Sequence, residues 1–392
     1  MNPSLFIVIV VSLQNLGFNL VHPVTPTFIS AMGMQDWIFG ISYATMALTS
    51  FLFSKEAGQL CLRFESKMVF AVGCIGYASM QLLFLTSKNE GQVIFWRLCS
   101  GFFVAMINVA ALAYLIHVST DEQRARNLTY LATAIAVTTA LGYTVGGIIG
   151  NVSYSHAFII QALVLTGTGL SLALFGNSCT TKEIRIAELL RNGNPLRLGS
   201  PNFHVQQHII EYLVITLISM SALTIYEQSL NYYLKDTLSY TPINIGFLKG
   251  AIGVVTLAAN QVIAFRLMRQ DRLLHHVGMV FALAACTNLL FTVLNTGAAF
   301  IVANLIFTVF NAMHLPMVQE LVTSADMHHQ HELVTLYNEM RSIGWIIGGL
   351  VAGIAYEICS LLPFAITTIL FTCLAGMCLR ERHPEQGRGW PK

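Results

Sequence analysis

Twelve long apolar stretches dominate this 392-residue sequence, and they decide what the chain can fold into. A helix needs about 20 predominantly apolar residues to cross the hydrocarbon core of a bilayer. Each stretch meets that length, and most of the connections between them are short and polar. The sequence therefore predicts twelve membrane-spanning helices, named spans 1 to 12, at about residues 4–30, 37–61, 67–86, 92–117, 127–150, 155–176, 208–233, 243–267, 274–294, 297–322, 332–356 and 358–379.

The composition excludes an ordinary soluble protein. Charged residues make up only 10% of the chain and hydrophobic residues 55%, whereas a soluble domain carries about 25% charged residues. A chain this apolar cannot cover its surface with polar side chains, so lipid must be its solvent. The net charge of +2 argues against nucleic acid as a partner. The N-terminal residues lack a basic segment and run directly into span 1, so we expect no cleaved signal peptide.

One long interruption divides the spans into two sets of six. It is rich in charged residues, and its stretch over residues 184–190 has the pattern of a short amphipathic helix at the membrane surface. We therefore expect four regions, which are an N-terminal six-helix bundle over residues 1–176, a cytoplasmic linker over 177–207, a C-terminal six-helix bundle over 208–380 and a cytoplasmic tail over 381–392.

The two sets of spans resemble each other in sequence. The glycine-rich segment that starts at Gly142 in span 5 matches the segment that starts at Gly344 in span 11, 202 residues later. Span 2 and its following loop are repeated in span 8 and its loop, where Arg63 matches Arg269 at a separation of 206 residues. A repeated six-helix unit indicates two pseudo-symmetric bundles that flank a central site.

Lysine and arginine positions set the expected orientation, because basic residues collect in cytoplasmic loops. With the N-terminus inside, fifteen of the 21 basic residues lie on the cytoplasmic side and only Lys88 and Lys235 lie outside. The other four, Lys55, Arg97, Lys249 and Arg341, lie within spans. We therefore expect both termini in the cytoplasm of a multi-pass plasma-membrane protein, which in a bacterium is the inner membrane.

The loop after span 2 carries the first of three short motifs. Gly58, Arg63 and Lys67 fit the pattern Gly-x-x-x-Asp-Arg-x-Gly-Arg-Arg, in which Leu62 replaces the Asp.

Spans 4 and 5 carry the other two motifs. Arg97 is followed four residues later by Gly101, and span 5 has glycines at four-residue spacing, Gly142, Gly146 and Gly150. Together with the helix count, the linker and the repeat, these motifs resemble the major facilitator superfamily, and within it the twelve-span drug:proton antiporter branch. By this resemblance the chain is a divergent member.

The resemblance implies an all-α membrane protein of twelve helices in two pseudo-symmetric six-helix bundles, which moves a small molecule by alternating access. Spans 1, 4, 7 and 10 would line the cavity. It further implies proton-coupled efflux of small amphipathic compounds, such as drugs, a secreted metabolite or a chelator, by a monomer without a cofactor. Leu62 removes a carboxylate that helps to latch the cytoplasmic gate in relatives, and Gly147 replaces a Pro of the branch.

Two other functions stay open at this point. A nutrient importer or facilitator of the same superfamily fits the altered loop after span 2 and the lack of an acidic residue in span 1. A membrane enzyme or receptor without transport would show clustered acids or histidines at one interface, or a sizeable soluble domain, and the sequence has neither.

Charged residues inside spans are candidate functional residues, because they are expensive to place in lipid. Arg97 in span 4 is expected to face Asn15, Asn19 and His22 of span 1, whose polar groups would satisfy its hydrogen bonds. It either takes part in substrate binding or proton relay, or it braces the bent first span.

An acid and a base are expected to pair on the outer side of the second half. Glu227 follows Tyr226 in span 7, and Lys249 lies at a similar depth in span 8. Such a pair either opens and closes with protonation or substrate, or it is a static salt bridge.

Spans 10 and 11 contribute further candidates. Glu339 and Arg341 lie two residues apart in span 11 and should point to different sides of the helix. Asn311 and His314 share a face of span 10, and His314 either titrates near neutral pH or packs as a hydrogen-bonded core residue.

The glycine series is expected to let helices touch backbone to backbone. We predict that Gly142, Gly146 and Gly150 join span 5 to span 8, and that Gly344 and Gly348 join span 11 to span 2. These contacts would form the surfaces on which the two bundles rock, although ordinary packing of small residues is the alternative.

No motif favours catalysis, so the chain is not expected to be an enzyme. The sequence has no phosphate-binding Gly-x-x-x-x-Gly-Lys-Ser/Thr loop, no Gly-x-Ser-x-Gly and no His-Glu-x-x-His. The histidines before spans 9 and 11 lack zinc-site spacing, and we expect no metal. The eight cysteines fall mostly within apolar runs and are interpreted as small buried hydrophobic residues.

Overall fold

The computed structural model describes residues 3–35, 37–178, 206–268, 270, 272–293, 297–326 and 329–380. Within these ranges the regular structure is entirely helical. The predicted amphipathic helix over 184–190 and the predicted tail over 381–392 lie outside the described residues, as does most of the linker.

Every predicted span coincides with one helix or with a short run of helices. Spans 1 to 6 are Pro3–Asn19 with Thr25–Ala31, Trp37–Leu52 with Ser54–Arg63, Ser66–Leu85, Glu90–Val118, Asp121–Val152 and Tyr154–Phe175. Spans 7 to 12 are Gln207–Asp236, Pro242–Ala259 with a π-helical turn Asn260–Ala264 and Phe265–Met268, then Leu273–Val293, Gly297–Thr323, Gln330–Ile358 and Leu362–Arg380.

Most of these helices are long enough and apolar enough to cross a membrane. Nine of the described helices are long and apolar enough, and a tenth span results if the two helices of span 2, bent by 45°, count as one. The two remaining spans have identifiable reasons for falling short. Span 1 is divided, with a first helix of 17 residues, and span 11 is 29 residues long but carries Glu339 and Arg341.

The break in span 1 follows from its prolines. Pro23 has no N–H to donate to the turn before it, so the helix ends at Asn19 and a second helix starts at Thr25. Gln161 of span 6 supplies a donor to the interrupted region, because its Nε2 lies 3.2 Å from the carbonyl oxygen of Gly17 and 3.0 Å from that of Phe18.

Replacing Gln161 with Leu is therefore expected to destabilise the protein. The substitution removes the side-chain donor of both carbonyl groups, of which that of Gly17 keeps the N–H of Leu20 at 3.2 Å. The loss costs about 1–3 kcal/mol. Thermal unfolding in detergent measures the loss as a lower midpoint. Gln59→Leu is the matched control because Gln59 is exposed. An unchanged midpoint in Gln161→Leu would show that these carbonyl groups do not depend on this side chain.

The chain forms two compact units. The first contains residues 1–200 and 231–253, and the second contains residues 201–230 and 254–392. The first unit thus includes segment 231–253, the end of span 7 and the start of span 8, in addition to spans 1 to 6. The predicted bundle boundaries at 176 and 208 stay a prediction.

Each unit has an aromatic core built on close helix contacts. In the first unit, Phe28, Phe84 and Phe158 form a cluster with ring centres 5.3–5.9 Å apart. In the second unit, Phe281 and Phe371 stack at 5.7 Å between spans 9 and 12.

The cysteines only partly behave as predicted. Cys61, Cys74 and Cys378 are buried hydrophobic residues. Cys286, Cys359 and Cys373 are exposed, so the prediction of burial is wrong for these three. An apolar run in a membrane helix does not distinguish a core face from a lipid face, because both are apolar.

Candidate functional site

Arg97 is a buried positive charge inside the first unit, and only 8% of the residue is exposed. Its guanidinium lies 4.3 Å from the ring centre of Phe84 in span 3, a cation–π distance. Its Nη1 lies 3.8 Å from the Sδ of Met46 in span 2. Over the described ranges its Nε has no hydrogen-bond acceptor, and no carboxylate forms an ion pair with Arg97.

Gly101 explains how Arg97 comes close to span 2. A Cβ atom at Gly101 would overlap the carbonyl oxygen of Met46 and lie 2.8 Å from the Cβ of Thr49. Spans 2 and 4 therefore touch at the turn that follows Arg97. The Arg-x-x-x-Gly spacing places the guanidinium one turn from this contact.

Three polar and aromatic residues of span 3 line the same region. The Tyr77 hydroxyl lies within hydrogen-bonding reach of Arg97, and the amide of Gln81 donates to that hydroxyl. Tyr77 also stacks on Phe18 of span 1, with 5.0 Å between ring centres. Sequence reasoning missed this wall because it considered spans 1, 4, 7 and 10. Gln81 and Phe84 follow Tyr77 by four and seven residues, so the three share one face of span 3. This spacing in the sequence would have revealed the wall.

His22 lies beside Tyr143 and near Lys249 in the first unit. Its ring lies 5.5 Å from that of Tyr143 in span 5, and the Nζ of Lys249 lies 5.9 Å from the same Tyr143 ring. The Tyr143 ring thus has His22 and Lys249 as neighbours, and sequence reasoning did not foresee Lys249 in this place. The expected approach of Arg97 to His22 stays a prediction.

Asn15 and Asn19 do not satisfy Arg97, and that prediction is wrong. The Nδ2 of Asn15 lies 3.0 Å from the carbonyl oxygen of Ile135 and 2.8 Å from the Oγ1 of Thr139, both in span 5. The Nδ2 of Asn19 lies 2.8 Å from the carbonyl oxygen of Asn15. These amides join span 1 to span 5 because they lie on the face of span 1 that meets that helix.

The glycine series has different neighbours from those predicted. A Cβ at Gly142, Gly146 or Gly150 would meet Leu16, Leu20 or Val24 of span 1, not span 8. In the second unit, a Cβ at Gly344 or Gly348 would meet residues of span 7, which are Leu217, Met220, Ser221 and Thr224. Contact of these two glycines with span 2 stays a prediction. Residues four apart on a helix share one face, and in both cases that face meets a helix of the same unit.

Spans 5 and 8 do meet, on a neighbouring face of span 5 where Gly147 lies against Gly246 and Thr144 lies against Gly250. A Cβ at Gly147 would lie 2.8 Å from the Cα of Gly246, and a Cβ at Gly246 would lie 2.9 Å from the Cα of Gly147. Gly147 points about 100° away from Gly146, because a helix turns by that angle per residue. Gly147, which replaces the Pro of the antiporter motif, therefore allows spans 5 and 8 to cross in close contact.

Segment 231–253 also meets the ends of spans 1 and 2 within the first unit. The Nζ of Lys235 lies 2.6 Å from the Oγ of Ser30, and the rings of Phe39 and Tyr232 lie 5.3 Å apart. The charge distribution predicts all four residues to be near the outer surface. Sequence reasoning gave Lys235 no role beyond orientation.

The loop motif after span 2 is held to span 6. The Nζ of Lys67 lies 3.1 Å from the carbonyl oxygen of Gly176 and 3.3 Å from the Oε2 of Glu65. This position suits a cation, because the carbonyl end of a helix is negative. Arg63 is exposed and Gly58 is buried. A role of this motif as a gate stays a prediction.

In the second unit, the candidate residue Tyr226 forms a neutral hydrogen-bonded pair with Asn304. The Nδ2 of Asn304 in span 10 lies 2.7 Å from the hydroxyl of Tyr226 in span 7. The Tyr226 ring also packs 4.5 Å from that of Phe307. Both Tyr226 and Asn304 are buried, so this pair joins spans 7 and 10.

His314 occupies an aromatic environment. Its ring lies 5.5 Å from that of Phe281 and 5.7 Å from that of Phe371. Among the described residues, neither ring nitrogen has a side-chain or other hydrogen-bond partner within normal geometry, and the Oδ1 of Asn311 has none. Spans 9, 10 and 12 thus enclose His314 among aromatic rings. Its titration near neutral pH stays a prediction.

The remaining charged candidates lie apart from that aromatic cluster. Glu227 is exposed, and Glu339 and Arg341 are half-buried. The guanidinium of Arg341 lies 4.6 Å from the ring centre of Trp345, one turn further along span 11. Pairing of Glu227 with Lys249 stays a prediction.

The sequence as a whole matches one known family over most of its length. A sequence model described as the Major Facilitator Superfamily matches residues 7–349. The chain belongs to this superfamily. The family inferred from the three motifs is thereby confirmed, and with it the all-α fold of membrane helices.

Similar members of the superfamily include resistance proteins. Multidrug resistance protein 1 of Bacillus subtilis (strain 168) is 24% identical over 356 residues, which cover 90% of each protein. The quinolone resistance protein NorA of Staphylococcus aureus (strain Mu50) is 25% identical over 258 residues, or 64% of each. The crystal structure of the nucleoside transporter NupG has a TM-score of 0.70 and 14% identity, with 97% of both chains covered. That last likeness shows the fold alone.

Membership in the major facilitator superfamily makes this protein a multi-pass membrane transporter of small molecules rather than an enzyme. Low identity to the resistance proteins agrees with a divergent member.

Proposed function

We propose that this transporter exports small amphipathic compounds in exchange for protons, by alternating access. The observation that carries the proposal is the buried guanidinium of Arg97, which packs on Phe84 beside Tyr77 inside a membrane-spanning unit. Charged side chains at this depth are costly and mark transport pathways. An apolar, aromatic wall with a few polar groups suits an amphipathic solute. The similarity to two resistance proteins supports the same function.

Exchange for protons needs a group that releases its proton when substrate binds. Arginine stays protonated in proteins, so Arg97 cannot fill this role. Glu227 is the acid that we assign to it, because it lies within span 7 and is exposed. A cationic group of the substrate would replace the proton on its carboxylate, since both favour the same negative charge.

Everted membrane vesicles test export and coupling together. We expect an interior-acid proton gradient to drive a fluorescent aromatic zwitterion, with a carboxylate and a permanently charged quaternary ammonium, into vesicles that contain the protein but not into vesicles that lack it. An ionophore that collapses the gradient should release it. Loading that is independent of the gradient, or that occurs only in right-side-out vesicles, would contradict proton-coupled export.

Glu227→Gln is expected to remove gradient-driven loading by at least tenfold, because the amide cannot carry the exchanged proton. Glu211→Gln is the matched control. Glu211 belongs to the same helix, and its carboxylate accepts a bond from Gln207 at 3.2 Å near the start of that helix. Near-normal loading by Glu227→Gln would remove this residue from the coupling mechanism.

A nutrient importer or facilitator is the second candidate. It is favoured by Leu62 at the acidic position of the loop motif and by the lack of an acidic residue in span 1. The direction of gradient-driven movement in the vesicles separates the two functions. A toxic-compound panel on a deletion strain then narrows the substrate, since only an exporter protects the cell.

A further inference from the structure

We propose that Arg97 binds an acidic group of the substrate, so that the compounds carried are aromatic or other apolar molecules with a carboxylate. This inference rests on the proposed function, because it names the substrate class of the same site. It is carried by the incomplete bonding of a buried guanidinium, and it concerns the first unit alone.

The bonding of Arg97 leaves most of its donors unused. A guanidinium has five N–H groups, whereas the protein offers a thioether sulfur 3.8 Å from Nη1 and the hydroxyl of Tyr77. The Nε has no acceptor among the described residues. A buried donor without a partner costs about 1–3 kcal/mol, and more for a charged group. A group that supplies the missing acceptors would therefore bind with a favourable contribution.

A carboxylate is the acceptor that fits best. Its two oxygens match the planar fork of a guanidinium with two parallel hydrogen bonds. No described carboxylate of the protein forms an ion pair with Arg97. The positive charge of the guanidinium itself opposes a cation in this place and favours an anion.

The walls around Arg97 define the rest of the ligand. Phe84 covers one face of the guanidinium at 4.3 Å, and Tyr77 stacks on Phe18 beside it. Such rings pack against flat apolar groups. A molecule with an acid at one end and an aromatic body at the other would use both features. A substrate that also carries an amine would be a zwitterion, whose positive group supplies the charge that exchanges with a proton.

Three probes with the same aromatic body and different charges test the substrate class. They are 1-pyrenebutyrate, 1-pyrenebutanol and the corresponding pyrene amine, and their fluorescence is measured on the full-length protein in neutral-lipid nanodiscs. Empty nanodiscs give the partition baseline. We expect the acid to bind at least tenfold tighter than the alcohol, and the amine to bind most weakly.

Variants at Arg97 decide whether this residue is responsible. Arg97→Gln is expected to abolish the preference for the acid, and Arg97→Lys to keep part of it, because the charge remains but the fork is lost. Without ligand, Arg97→Gln is expected to unfold at a temperature no lower than the wild type, since an underbonded buried charge has been removed. A structural brace would instead show a clear loss of thermal stability.

Four results would overturn the proposal. They are equal binding of acid and alcohol, tighter binding of the amine, an unchanged preference in Arg97→Gln, and no binding of any probe above the empty-nanodisc baseline. Binding is measured without a gradient, so a failure of proton-driven loading in vesicles leaves this result intact. If the binding test fails instead, the protein can still be an exporter of neutral or cationic compounds.

Discussion

Gly146→Ala should sharply reduce the amount of folded transporter, although it adds one methyl group. The new Cβ would overlap the carbonyl oxygen of Leu20 in span 1. Backbone atoms cannot turn aside as a long side chain can, so spans 1 and 5 must separate. The hydrogen bonds of Asn15 to span 5 would stretch with them. We expect a loss of about 2–4 kcal/mol, in the range of an overpacked core with broken buried hydrogen bonds.

Gly167→Ala is the matched control for this prediction. Gly167 lies in span 6, and no atom lies within 4 Å of a Cβ placed there. The same substitution should be neutral or should stabilise the helix by up to about 1 kcal/mol. Yield after detergent extraction and the thermal unfolding midpoint measure both variants. Equal midpoints for Gly146→Ala and Gly167→Ala would show that spans 1 and 5 are not in backbone contact.

Gly246→Val should produce a folded protein that transports at least tenfold more slowly. A Cβ there would lie 2.6 Å from the carbonyl oxygen of Tyr143 and 2.9 Å from the Cα of Gly147. Val adds two further methyl groups, which would hold spans 5 and 8 apart. In the proposed cycle this contact forms when the outer side closes, so the variant should stay open on that side.

Accessibility of an introduced thiol measures that opening. In a Ser30→Cys background, a membrane-impermeant maleimide added from outside should react faster after Gly246→Val, because Ser30 contacts Lys235 of the same segment. Phe247→Val is the control, since Phe247 is the next residue and is 55% exposed. Slow turnover with unchanged labelling would mean that the contact does not control access from outside.

The helical architecture could be predicted from the sequence because its signals are local. Each span is an apolar run whose length is dictated by the membrane, and the structure contains a helix at every predicted position. The break in span 1 also has a local cause, which is the pair of prolines Pro23 and Pro26. The superfamily followed from short motifs with fixed spacing around Arg97 and Gly142.

Helix neighbours could not be predicted in the same way. Glycines at positions 142, 146 and 150 show that something approaches one face of span 5, but they do not say which helix. The partner is span 1, and span 8 instead meets a neighbouring face of span 5 that carries Thr144 and Gly147. Which helix a face meets depends on three-dimensional packing, for which a single sequence has no local signal.

The surroundings of Arg97 illustrate the same limit. The charge itself is obvious in an apolar span, but its partners come from spans 2 and 3, where Met46, Tyr77 and Phe84 read as ordinary membrane residues. The amides of Asn15 and Asn19 were the natural candidates by chemical type. They bond to span 5 and to their own helix instead, because amide groups serve equally well in helix packing.

Gln161, Asn15 and Gly146 fasten span 1 to spans 5 and 6, whereas Met46 of span 2 and Phe84 of span 3 adjoin the guanidinium of Arg97. Evolution can therefore revise the walls around the guanidinium without disturbing the frame that supports them. Selection for growth on a new toxic acid should accordingly yield substitutions at Met46 or Phe84 first, whereas Gln161 and Gly146 should remain unaltered in the surviving clones.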